Sequence, residues 1–146
     1  MHKGIVTDDF FKMLEKNSYG APFFLMTQFN HASELNDKAI HAIKGFVKLG
    51  IPMMNQCVLL RGVNDDLDSQ VELCNALMMN RIKPYYLFQG DLVKGTAHLR
   101  VPLSKGLELE KKMRKELSGL AMPQYTIDLP NGGGKIVLTE QHIVNR

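Results

Sequence analysis

Residues 50–66 read GIPMMNQCVLLRGVNDD. A glycine and a proline open the stretch, a mostly apolar run from Met53 through Leu60 follows, and Arg61, Asn64 and Asp65 close it. Such a run, bounded by turn residues, is a strand signal, and its apolar residues follow one another instead of alternating. That predicts a parallel strand covered on both faces. Working outward, FFLMT (23–27), PYYLF (84–88) and QYTID (124–128) repeat the pattern. The strand starts lie about thirty residues apart, the size of a βαβ unit.

Helix-period segments fill the intervals. Thr7 is placed to cap a first helix reaching about Asn17, with Phe10, Phe11 and Leu14 on one face. A second, from about Asn36 to Lys48, buries Ile40, Ile43 and Val47 and stops at Gly50. A third covers about Asp68 to Asn80, and a fourth, capped by Ser104, ends at Gly119. KIVLT (135–139) reads as a short fifth strand. No Ser/Gly linker or low-complexity tract divides the chain, so the array reads as one domain. Four repeats do not close an eight-unit barrel, and the Phe-rich first strand would stand at an open edge, which natural domains usually cover. The expected fold is α/β, a partial (β/α) barrel of parallel strands, with βα repeats over 1–122 and a glycine loop plus C-terminal strand over 123–146.

The totals agree with a globular domain. The chain has 146 residues, 45% hydrophobic and 23% charged, and a domain of this size buries roughly 70% of its unfolded surface. A net charge of +3 without a Lys/Arg cluster interleaved with aromatics weighs against nucleic acid. The opening MHKGIVTDDFF lacks a signal-peptide core, and no apolar run is long enough to cross a bilayer. Cys57 and Cys74 sit in apolar segments and read as buried thiols. The expected compartment is the cytoplasm.

In parallel αβ arrays the chemistry gathers after the C-terminal ends of the strands. Here those positions hold Gln28, Asn30 and His31, then Arg61, Asn64 and Asp65, then Gln89 and Asp91, then Asp128 and Lys135. RGVND also reads as a plain turn, and Asn30 and His31 as caps of the next helix. Asp91 and Asp128 facing one pocket repel each other unless a cation lies between them. Lys94, Arg100 or Lys105 would supply one; so would a cationic group of a substrate. The loop PNGGGK (130–135) is no nucleotide P-loop, because Ile136 stands where a hydroxyl is required. Two readings stay open for it: a tight glycine turn with an exposed lysine, or a lysine presented for Schiff-base chemistry, which needs an unobstructed amine.

The stretch KPYYLFQGDLVKGTAHLRVPLSKGLELEKKMRKELSGLAMPQYTIDLPNGGGK (83–135) closely resembles the C-terminal part of the lysine 2,3-aminomutase family. TQFNHASEL (27–35) and GIPMMNQCVLLRGVNDD resemble it in the same order, so the likeness spans roughly residues 5 to 139. These are radical S-adenosylmethionine enzymes that also use pyridoxal phosphate (PLP). The resemblance implies that Lys135 forms the Schiff base with PLP, that Asp91 and Asp128 hold a lysine substrate's side-chain ammonium, and that Gln56 lies beside S-adenosylmethionine. It implies a reaction in which a 5′-deoxyadenosyl radical takes a hydrogen from the substrate's β-carbon and the amino group migrates from the α- to the β-carbon, giving β-lysine.

The departures shape the expectation. The C-x-x-x-C-x-x-C motif that binds the family's [4Fe–4S] cluster is absent, and Cys57 and Cys74 are too few and wrongly spaced to replace it. Asp66 stands where zinc-bearing members have a cysteine, so no zinc is expected. Gln28 replaces a histidine of some relatives. The chain therefore reads as the C-terminal half of a radical SAM barrel and a fragment of an isomerase, acting on a small amino acid, lysine or lysine-like. Alone it would not cleave S-adenosylmethionine, and an N-terminal half in trans would complete it. The alternative is a non-catalytic module that binds PLP or an amino acid, or a truncated remnant.

Overall fold

The computed structural model describes residues 6–17, 20–90, 95, 97–130 and 132–139. In chain order these form α1 (Asp8–Asn17), β1 (Leu25–Thr27), a short 3-10 helix (Ala32–Glu34), α2 (Asp37–Lys48), β2 (Met53–Leu59), α3 (Leu67–Met79), β3 (Ile82–Gln89), a second 3-10 helix (Ala97–Leu99), α4 (Leu103–Glu116), β4 (Gln124–Leu129) and β5 (Gly134–Val137). Among the described residues the five strands make one sheet in sequential order. The first four pair parallel, and β5 returns antiparallel along β4. The expected α/β array of parallel strands is what forms.

Local sequence accounts for the helix starts. The Thr7 hydroxyl accepts the Phe10 amide at 3.3 Å. The Asn36 side chain accepts the amides of Lys38 and Ala39, both at 3.1 Å. Asp66 accepts the Ser69 amide at 2.9 Å and the Ser69 hydroxyl at 2.7 Å, so α3 begins one residue earlier than its periodicity suggests. Ser104 is not a cap. Pro102 takes that position; its ring has no group to make a capping hydrogen bond, and its fixed φ restricts the chain at the helix entry.

The core lies between sheet and helices. Met53, Cys57 and Leu59 of β2, Leu87 of β3 and Tyr125 of β4 are buried with Phe46 of α2, Leu73 and Leu77 of α3 and Met113 of α4. Gly106 lets α4 close on the sheet: a β-carbon there would lie 2.0 Å from the Tyr125 hydroxyl oxygen. That hydroxyl in turn donates to the Gln89 side-chain oxygen. α1 packs edge-on through Phe11 against Phe46, ring centroids 5.0 Å apart.

Apolar runs predicted strands covered on both faces; the structure corrects this. Along β2 the buried residues Met53, Asn55, Cys57 and Leu59 alternate with half-buried Met54, Gln56 and Val58. The helices cover one face and leave the other open, as the inner face of an unclosed barrel would be. β1 is also shorter than the predicted 23–27, and Phe24 before it is 64% exposed.

Candidate functional site

The loops after β1 and β2 prove to be braced. The Asn30 side-chain oxygen accepts the Val58 amide at 2.8 Å. Buried Asn64 donates to the Asn30 carbonyl at 2.8 Å and the Val58 carbonyl at 2.9 Å, while its own oxygen accepts the Leu60 amide at 2.8 Å. His31 caps the 3-10 helix through Nδ1, and Glu34 accepts the His31 amide at 2.9 Å. Asp65 bonds Lys105 at 2.5 Å, and this bond chiefly holds its carboxyl below the ordinary carboxylate range. Gln89 donates to the Val101 carbonyl at 2.8 Å. For these residues the structural reading of the polar loops is sufficient.

The uncovered face is different. Cross-strand partners share a face, so the register defines its rows. Gln56, Tyr86 and Gln124 form one row; Val58, Phe88, Val137 and the fully buried Thr126 form the next; Asp128 and Lys135 stand opposite each other nearer the strand ends. The Lys135 ammonium lies 3.1 Å from Asp128 Oδ1, with both side chains about half exposed, and 5.7 Å from the centre of the Phe88 ring. Tyr86 lies beside Phe88, ring centroids 5.0 Å apart. Its hydroxyl is raised above the ordinary phenol range, first by a hydrogen bond with Tyr85 and then by burial. Asp128 thus takes a cation from Lys135, while Lys105 pairs with Asp65 instead.

Lys135 belongs to β5 itself, in keeping with KIVLT as a short fifth strand, and stands just past the glycine turn. The loop is a β-hairpin turn, closed by Gly133 donating to the Pro130 carbonyl at 3.3 Å, and it fixes Lys135 opposite Asp128. Asp91 and Lys94 lie outside the described residues. Phe88 and Tyr86 were missed as site residues because they read as ordinary strand aromatics. The i, i+2 spacing of Phe88 from Tyr86 on a strand with one open face was the available signal. The two thiols are remote from this face: both are buried, and burial pushes each up to about 12. Among the described residues no group of three or more His, Cys, Asp or Glu is arranged to hold a metal ion, and no helix is long and apolar enough to cross a membrane.

Comparison with known proteins adds the lineage. No protein-family model matches the chain. It is 38% identical over 97% of its length to the L-lysine 2,3-aminomutase of Fusobacterium nucleatum, covering 32% of that protein. It is also 38% identical over 97% of its length to the glutamate 2,3-aminomutase of Clostridioides difficile, covering 33% of that one. The chain thus spans about a third of the length of these relatives. Among solved structures, a radical SAM methyltransferase from Sphaerobacter thermophilus superposes with a TM-score of 0.57 at 19% identity, over 85% of this chain and 38% of that one. That likeness is one of fold, and it agrees with a partial barrel.

Proposed function

We propose, from the premise that this chain belongs to the lysine 2,3-aminomutase family across about a third of its members' length, that it carries the amine-handling part of such an enzyme. The observation behind this reading is the pairing of Lys135 with Asp128 on the uncovered face of the sheet. PLP, when bound, supplies an aldehyde and a conjugated electron sink for an amino group. The residues present suit it. Lys135 offers a half-exposed amine, and the Tyr86 and Phe88 rings beside it form a wall against which a planar pyridine ring can lie.

Asp128, joined by Asp91, would hold the substrate's side-chain ammonium. Lysine-named and glutamate-named relatives are equally similar, so identity does not choose the substrate. Charge does: a carboxylate at this position attracts the ammonium of lysine and repels the side-chain carboxylate of glutamate. Gln56, on the same face, would lie beside S-adenosylmethionine. Radical generation needs the [4Fe–4S] cluster, whose cysteine motif this sequence lacks. We assign the cluster to a further segment, joined to the chain or acting in trans.

The test is residue-specific labelling. The chain is exposed to PLP, reduced with borohydride and peptide-mapped beside Lys135→Ala. Preferential labelling of Lys135 is expected. Even labelling of all surface lysines, unchanged in the alanine variant, would leave the glycine loop as a turn only.

A further inference from the structure

The Lys135 ammonium is held on two sides. Asp128 lies 3.1 Å away in β4, and the Phe88 ring centre lies 5.7 Å away on β3. A carboxylate at hydrogen-bonding distance and an aromatic face within about 6 Å are the components of a site for a primary ammonium. The walls come from β4 and β3; the occupant comes from the chain itself. That occupant can leave without backbone movement, because the Lys135 side chain is 47% exposed.

We propose that Asp128 and Phe88 form an ammonium site that Lys135 fills as a stand-in until a carbonyl ligand draws its amine away. Phe88 is then a specificity-determining wall for the substrate's cationic group, and engagement of Lys135 opens the site. The exchange balances without oxidant or reductant. Lys135 releases a proton, its nitrogen adds to the aldehyde carbon, a carbon–nitrogen double bond forms, and the aldehyde oxygen leaves as water. Asp128 loses its internal cation and becomes available to an external one. Linkage makes the coupling reciprocal: an ammonium ligand that occupies Asp128 also frees Lys135 for the carbonyl. The identity of the carbonyl ligand, PLP, and the role of Asp128 toward a substrate ammonium rest on the function proposed above; Phe88 as a wall and Lys135 as the stand-in go beyond it.

The experiment titrates the full chain with n-butylammonium and follows backbone amide NMR shifts. Lys135→Gln removes the stand-in and should bind the probe about tenfold more tightly than the unaltered chain. Adding Asp128→Asn should abolish that gain, and adding Phe88→Leu should cut it about threefold. Thermal melts of each variant check that it is folded. In a separate arm, Asp128→Asn should raise borohydride-trapped PLP labelling at Lys135 severalfold. Equal butylammonium binding by the unaltered chain and Lys135→Gln overturns the site, even where Lys135 labels well. A tenfold gain in Lys135→Gln with no labelling of Lys135 in any variant upholds the ammonium site and removes the cofactor assignment instead.

Discussion

At Gly132 and Gly134 the backbone passes through φ of +80° and +75°, the left-handed region that costs a residue with a β-carbon about 1 kcal/mol or more. Gly133 meets a different constraint: a β-carbon there would lie 2.6 Å from the Leu129 β-carbon, which is fixed to its own backbone. Two glycines permit the turn and the third permits its closure, and together they hold Lys135 in register with Asp128. Gly134→Ala should therefore cost about 1 kcal/mol in urea denaturation. Gly134→Asn should cost less, because asparagine tolerates this conformation better. Equal destabilisation by the two would show that φ is not the constraint.

Among the elements, α3 owes its start to a charged side chain, where α1 and α2 use the neutral Thr7 and Asn36. Asp66 carries the cap, and its carboxyl is held below the ordinary carboxylate range first by the Ser69 amide and then by the Ser69 hydroxyl. A carboxyl depressed by folding contributes stability that is complete above its unfolded value and is lost as pH falls through its folded value. Asp66→Ala should cost about 1 kcal/mol at neutral pH. Asp66→Asn keeps a capping oxygen but not the charge. Its stability deficit against the unaltered chain should shrink as the pH drops below about 4. A deficit constant from neutrality into acid would remove the charge from the account of this cap.

For the molecule as a whole, the open face and the β1 edge dominate. Phe23, Phe24 and Met26 are 38%, 64% and 41% exposed around a three-residue strand that pairs on one side with β2. An apolar edge strand is a template for further pairing. The chain of residues 1–146 should self-associate as its concentration rises, and Phe24→Lys should suppress this in sedimentation velocity runs. A lone chain that stays monomeric at high concentration would show that this edge is already managed.

Sequence by itself determined the strands near Met53, Ile82 and Gln124, the helices between them and the cap at Thr7. Each is a local matter of apolar run, period or side chain meeting its own backbone. Position after the strands singled out Lys135, Asp128 and Asp91, and family resemblance gave them roles and added Gln56. Only tertiary structure decided which side of each strand is covered: apolar residues on both sides of β2 and β3 look alike in the sequence, and helix docking separates them. It also turned Asn30, Asn64 and Gln89 from pocket candidates into braces, since a polar side chain's role depends on which backbone groups approach it. Most of all it set Lys135 beside Phe88. The hairpin that faces Lys135 with Asp128 rests on the local glycine turn, but the Phe88 contact arises from the register between β3 and β4, which lies beyond the reach of one residue's neighbours.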